Sequence, residues 1–432
     1  MVPSPTLGLG RRRWRKMSLK LEKLRARKIY NSRGEETIEV DAWVNGAFGR
    51  AAAPAGKSKG GKEVMYYPEG GVDEAVRLVN SELAAKLRGL DVSNHEALDE
   101  ALKKFDGTED FRRLGGNTAF AVSLAVAIAA ANTTGKPLYE HLKIVDSFRL
   151  PYPLGNVIGG GAHAGRGAPD WQEMLVSPIG ARNVEEAVKA NILVHARAGK
   201  LLDKYLGGFT LGRGDEGAYA PPIKTEDGIR LLKQAADEIS DELGFKIRVG
   251  VDVAASSLWN PKKRRYVYPT EGIELDREAQ MSRVAEWVDK YELFYVEDPL
   301  EEDDMEGFAD LCKQVGKRAL ICGDDLIVTN PSILSRAAEL RAIRAVIIKP
   351  NQVGLLTTAM KSVKIAHENG IVPVISHRSG EPPEGHLAQL AVAWGGKFLK
   401  AGVIGGERIA KANELLRIGE NIGVEKMVEL RI

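Results

Sequence analysis

IRVGVDV (247–253), FYVEDP (294–299), LICGDD (320–325), VIIKPN (346–351), VISHRSG (374–380) and KFLKAG (397–402) are short apolar runs that each stop at polar residues: Asp252, Glu297, Asp324, Lys349, the group His377, Arg378 and Ser379, and Lys400. The steps from Asp252 to Glu297, Asp324, Lys349, His377 and Lys400 are 45, 27, 25, 28 and 23 residues. Most of these steps suit one strand, one helix and two loops, the rhythm of a β/α barrel. Parallel barrel strands converge at their C-terminal ends, so side chains far apart in sequence meet at one mouth. One acidic residue after an apolar run is commonly a turn former or helix cap; six polar stops in series point to a site.

Working outward, 432 residues suit a barrel of roughly 250 residues plus a smaller domain. The net charge is +2, with five basic residues and no acid in residues 1–16, so the remainder carries −3 and offers no footprint for nucleic acid. Residues 1–16 read as a basic extension outside the fold, 17–149 as an α+β capping domain and 150–432 as the barrel, with the boundary marked by LPYPLGN. Cys312 and Cys322 cannot build a disulfide framework, which points to a reducing compartment and a cytoplasmic protein. No apolar run is expected to reach bilayer-spanning length, and the first 16 residues lack the apolar core of a secretion signal.

The capping domain begins with strand, turn and strand: LEKLRARKIY, NSRGEE, then TIEVDAWVNGAFGRAAA with Asn45-Gly46 as a tight hairpin turn. PAGKSKGGKEV reads as a mobile loop. It fails the phosphate-loop pattern in both registers, with Glu63 where Ser or Thr is required and Ala51 where the first Gly is required. Amphipathic helices are expected over 73–90 and 94–105. TAFAVSLAVAIAAANTTG is nearly all apolar and must be buried between the small sheet and the barrel. The glycines of VIGGGAHAGRGAPDWQEMLVSP are followed by no amphipathic helix, which removes the basis for a dinucleotide fold. That segment leads instead through His163 to a strand opening at Gln172 and Glu173. After a helix over 184–205, TLGRGDEGAYAPPI sets Asp215 and Glu216 among glycines that let the backbone turn sharply toward a ligand.

Asp252, Glu297 and Asp324 are hard oxygen donors suited to Mg²⁺, and no soft ligand set argues for zinc. Lys349 is read as unpaired, its ammonium destabilised by Lys400 and by metal charge, and so able to act as a base. Glu216 is the candidate acid. Arg378 and Ser379 provide a fork and a hydroxyl for a phosphate.

NSRG…TIEV, GDEG (214–217), VEDP (296–299), GDD (323–325), IKPNQVG (348–354) and SHRSGE (376–381), in this order, resemble the enolase family from about Leu19 to the C-terminus. The resemblance implies an enolase-type barrel whose first elements run β-β-α-α, an N-terminal α+β capping domain, and reversible dehydration of 2-phosphoglycerate to phosphoenolpyruvate through a metal-stabilised enolate. It assigns Lys349 to the C2 proton and Glu216 to the departing hydroxyl. Asp252, Glu297 and Asp324 would hold one Mg²⁺, and Ser58 a second as its loop closes. Arg378 and Ser379 would hold phosphate and Lys400 the substrate carboxylate, with His163, Gln172, Glu173 and His377 around the substrate. It also implies a homodimer or larger assembly. GKSKGG replaces the family's usual Gly-Ala-Ser-Thr-Gly, Asn31 a usual Asp, and Ala218-Tyr219 a usual Gly-Phe; with Pro382-Pro383-Glu384-Gly385 these departures resemble an archaeal variant. A sister sugar-acid dehydratase would share the lysine base but not the phosphate fork, and a non-catalytic barrel would tolerate loss of Lys349 or of a metal ligand.

Overall fold

The computed structural model describes residues 18–57 and 60–430. The basic segment 1–16 and Ser58 lie outside the described residues. Strands β1 (Leu21–Tyr30), β2 (Glu36–Val44) and β3 (Ala47–Ala52) form an antiparallel meander. The β2–β3 turn is Asn45-Gly46 as expected, both at positive φ (45° and 80°), the backbone that a two-residue hairpin demands.

Across this sheet lies the apolar helix Gly116–Thr133, buried along nearly its whole length. Its alanines let it approach closely: a Cβ built on Gly49 of β3 would lie 2.2 Å from the carbonyl oxygen of Ala125. The expectation about apolar length needs correction here. The helix has 18 residues with mean hydropathy 1.2, long and apolar enough by composition to cross a membrane, but 83% of that window is buried inside the protein. Its apolar surface is already satisfied by packing.

The two preceding amphipathic helices differ slightly from expectation. The first starts at Gly71 and runs as Gly71–Leu78, a π turn over Val79–Leu83 and Ala84–Leu87. The second, His95–Asp106, is capped by Asn94, whose side chain accepts from the Glu96 N–H.

The second unit opens with β4 (Tyr152–Gly159), β5 (Glu173–Ser177) and the helices Val184–Leu206 and Thr225–Leu243, the β-β-α-α order implied by the resemblance. Then come β6 (Arg248–Asp252) and a small antiparallel sheet of β7 (Trp259–Asn260), β8 (Arg265–Tyr268) and β9 (Ile273–Leu275). This inserted sheet accounts for the long 45-residue step from Asp252 to Glu297. The regular alternation follows with β10 (Tyr295–Glu297), β11 (Leu320–Gly323), β12 (Ala345–Ile348), β13 (Val372–Ser376) and β14 (Phe398–Gly402). Strands β4, β5, β6 and β10 to β14 close a barrel in that order, β14 pairing back on β4.

Strand β5 is antiparallel to both neighbours, while the other barrel pairs are parallel. Reversal puts the beginning of β5 beside the ends of the others. Glu173 therefore pairs with Asp252, and Asp252 with Glu297, so three carboxylates form one row across adjacent strands.

The meander's loops reach into the mouth. Ala55 and Gly380 exchange backbone hydrogen bonds at 2.8 Å, and Asn351 Nδ2 donates to the Pro54 carbonyl.

Candidate active site

The barrel mouth holds a cleft open to solvent, lined by His163, Gln172, Glu173, Glu216, Asp252, Asp324, Lys349, His377, Arg378, Ser379 and Lys400, with Gly56 and Lys57 from the loop that carries Ser58. Glu297 is the described candidate outside that lining. It is wholly buried beneath Lys400, whose Nζ lies 2.8 Å from each of its carboxylate oxygens.

Lys400 organises the acidic row. Its ammonium, on β14, also lies 3.1 Å from Glu173 Oε2 and 3.1 Å from Asp252 Oδ2. Burial opposes its charge, but these carboxylates outweigh burial and push its pKa well up. Burial pushes the Glu173 carboxyl up, and Glu216 adds to this. The same holds for Glu297 by burial and Asp252. Excess negative charge in a closed space thus gathers around one cation.

Lys349 departs from expectation. Rather than being unpaired, its Nζ donates to Asp324 Oδ2, and the carboxylate raises the lysine's pKa although burial works the other way. Asp324 just beyond β11 and Lys349 just beyond β12 stand on adjacent strands, so they meet directly. Burial would raise Asp324, yet Lys349 holds it below the usual carboxylate range.

Asp298, in VEDP, has a structural task that sequence reasoning missed. It adopts φ 41°, and its carboxylate accepts the backbone N–H groups of Asp324 and Asp325 at 2.9 and 2.8 Å, fixing the turn that presents Asp324. Burial and neighbouring Asp324 push Asp325 up to about 7.

Glu216 sits on a different arc. Its backbone is left-handed at φ 68°, and the glycines around it permit close packing: a Cβ on Gly214 would fall 2.1 Å from the His163 carbonyl oxygen, and one on Gly217 2.1 Å from that of Ile404. Asn156 Nδ2 donates to Glu216 Oε2 at 3.1 Å, and His377 Nε2 lies 3.1 Å from the same oxygen. His163 Nδ1 lies 3.5 Å from Glu173 Oε1 and 3.8 Å from Glu216 Oε1. Burial pushes His377 down to about 4 and lowers His163 as well, leaving neutral rings at neutral pH.

Arg378 reveals the other missed residue, Glu63. The guanidinium donates from Nη2 to Glu63 Oε1 at 3.0 Å and from Nη1 to Oε2 at 3.1 Å, with Tyr66 and Asn351 as further acceptors at 2.8 and 3.2 Å. The loop expected to be mobile is therefore pinned beyond Ser58. The only sequence signal was negative: Glu63 is the residue that broke the phosphate-loop pattern. Ser379 Oγ accepts from Arg33 Nη1 at 3.3 Å.

Among the described residues, two groups of side chains bring possible metal-ligand atoms within 4.8 Å of one another: Asp298, Asp324 and Asp325, and His163, Glu173 and Glu216. The first is all oxygen, the donor type of a hard cation, and the ammonium of Lys400 among Glu173, Asp252 and Glu297 shows how strongly the neighbouring row holds positive charge. Asp298, Asp324 and Asp325 thus fit a hard cation, whereas the expected set is divided, Asp252 and Glu297 on Lys400 and Asp324 on Lys349.

A family model described as "Enolase, C-terminal TIM barrel domain" matches residues 147–429, and one described as "Enolase, N-terminal domain" matches residues 21–142. The chain belongs to the enolase family. It is similar to the enolase of Methanothermobacter thermautotrophicus, 48% identical over 410 residues covering 95% of this chain and 99% of the relative. The enolase of Methanosphaera stadtmanae is 46% identical with the same coverage, and that of Archaeoglobus fulgidus is 45% identical over 408 residues, 94% of this chain and 99% of the relative. The enolase reaction is the reversible dehydration of 2-phosphoglycerate to phosphoenolpyruvate, and this chain is a hydro-lyase of that kind whose catalysis depends on metal.

Proposed function

We propose that Lys349 removes the C2 proton of 2-phosphoglycerate and Glu216 delivers a proton to the departing C3 hydroxyl. The observation that carries this reading is the separation of the two groups within one cavity: Lys349 is engaged with the acidic side of the mouth, and Glu216 with the histidine side. Lys349 acts as a base once its ammonium has left Asp324 and given up a proton. Arg378 and Ser379 bind the phosphate, Lys400 faces the substrate carboxylate, and His163, Gln172, Glu173 and His377 shape the rest of the pocket. Asp252, Glu297 and Asp324 would hold one Mg²⁺, and Ser58 would contribute to a second. Bound there, Mg²⁺ supplies positive charge against the dianion that develops as C2 loses its proton.

The same proposal takes the division at residues 149 and 150 as the domain boundary and residues 1–16 as an extension. It includes a cytoplasmic homodimer or larger assembly.

The two proton transfers can be separated in deuterated water with Mg²⁺. Glu216→Gln keeps shape but cannot donate the proton, so it exchanges the C2 hydrogen while forming almost no phosphoenolpyruvate. Lys349→Ala loses both by a factor of about 10²–10⁴, the usual contribution of a general base. Exchange surviving in Lys349→Ala but not in Glu216→Gln would reverse the roles.

A further inference from the structure

Arg408 belongs to the helix Gly406–Ile422, on the far side of the HRS segment from the cavity, and is 1% exposed. Its Nη1 lies 2.7 Å from His377 Nδ1 and donates to the Arg378 carbonyl at 2.7 Å, while its Nη2 donates to the Ser379 carbonyl at 2.5 Å. One guanidinium thus grips three consecutive residues.

A guanidinium has N–H donors and no acceptor, and it stays protonated in proteins. At 2.7 Å from Arg408, His377 Nδ1 must therefore be the acceptor. A neutral imidazole carries one proton, so that proton resides on Nε2. His377 Nε2 is buried and, among the described residues, closes no aligned hydrogen bond; Glu216 Oε2 lies 3.1 Å from it. Asn156 Nδ2 approaches that same oxygen as a donor.

We propose that Arg408 is a positioning residue for the proton-delivery step: by fixing the Nε2–H tautomer of His377, it places an N–H rather than a lone pair beside Glu216 Oε2, where Asn156 already donates, and leaves Oε1 to carry the acid's proton. This rests on the reading of Glu216 as the acid. Oε1 is the oxygen nearer His163, beyond hydrogen-bond reach at 3.8 Å, and so is free to deliver. As the C3–O bond breaks, its electron pair leaves with the hydroxyl oxygen, which takes the Oε1 proton and departs as water. The electron pair of the enolate forms the C2–C3 double bond. The carboxylate left behind meets the Asn156 N–H that already donates to Oε2, with the His377 Nε2–H 3.1 Å away to close a second bond as the charge returns.

The test begins with the unaltered protein labelled with ¹⁵N-histidine, whose seven histidines give few enough ring signals for His377 to be assigned by its loss in His377→Gln. The Nε2–H tautomer is expected, and an Nδ1–H ring would overturn the proposal without any variant having to fold. Arg408→Met should lose the single-tautomer signature and slow elimination about tenfold to a hundredfold, the effect of one lost charge-assisted hydrogen bond. It should leave Lys349-dependent C2 exchange near its original rate. Arg408→Lys, which can still donate to Nδ1, should restore both tautomer and elimination. Equal loss of exchange and elimination in Arg408→Met, or no recovery in Arg408→Lys, would reduce Arg408 to a purely structural role. Failure of the acid assignment itself reads out separately, as normal elimination by Glu216→Gln.

Discussion

Glu63→Gln sets two consequences of one contact against each other. The Glu63 and Arg378 side chains are 1% and 4% exposed and share a two-pronged ion pair. Removing one partner of such a buried pair costs about 3–5 kcal/mol. Glutamine keeps the shape and one acceptor, and Tyr66 and Asn351 still hold the guanidinium. The loss is then nearer that of one charge-assisted hydrogen bond, about 1.5–3 kcal/mol. With an unfolding entropy of about 2.1 cal/mol/K per residue, a chain of this size should melt about 2–3 °C lower. Arg378 meanwhile keeps its charge and loses a counter-charge, so inorganic phosphate should inhibit more strongly in the variant. Calorimetry and phosphate inhibition read the two effects independently. An unchanged melting temperature together with weaker phosphate inhibition would refute the reasoning, because Glu63 would then be preparing Arg378 for phosphate rather than competing with it.

Substrate affinity should collapse in chelator: Glu173, Glu216, Asp252, Glu297 and Asp324 outnumber Lys349, Arg378 and Lys400, and an anionic substrate adds to the imbalance. Undiminished heat of binding without metal would contradict this. A Gly49→Ala change should lower stability by about 1–3 kcal/mol, the usual cost of overpacking, since the new Cβ would meet Ala125 O at 2.2 Å; an unchanged urea midpoint would show that the helix shifts freely. Burial pushes His195 down to about 4, from an ordinary value of 6.5. The unfolded chain takes up that proton first, so this contribution is full above about pH 6.5 and fades as pH falls toward 4. His195→Gln should lose less stability between pH 7 and 5 than the parent, and parallel losses in urea titrations would count against the assignment.

The polar stops after apolar runs were legible because strand ends in a parallel barrel share a mouth whatever their distance in sequence. Direction was not. Nothing in EMLVSPIG marks β5 as reversed, and only reversal explains why Glu173, at a strand's beginning, joins Asp252 and Glu297 at strand ends. Lys349 was misread because spacing sets it beside the strand that ends in Asp324 without showing that the two side chains turn toward each other. Asp298 and Glu63 were missed for a related reason. The work of Asp298 depends on a left-handed backbone and on two amide hydrogens, and that of Glu63 on docking one domain's loop into the other's mouth. Neither leaves a periodic trace.

Lys400 comes from β14, the last strand of the barrel and the one that seals it against β4. Until β14 docks, the row of Glu173, Asp252 and Glu297 can assemble only as acids without their shared cation, and buried unpaired charge is among the costliest arrangements a folding chain meets. Ring closure and charge neutralisation are therefore one event. A barrel missing its final strand should stay loose at the mouth even where its other strands are paired. The residue needed at the active site thus also makes an incomplete barrel unstable, and partly folded chains have little reason to linger.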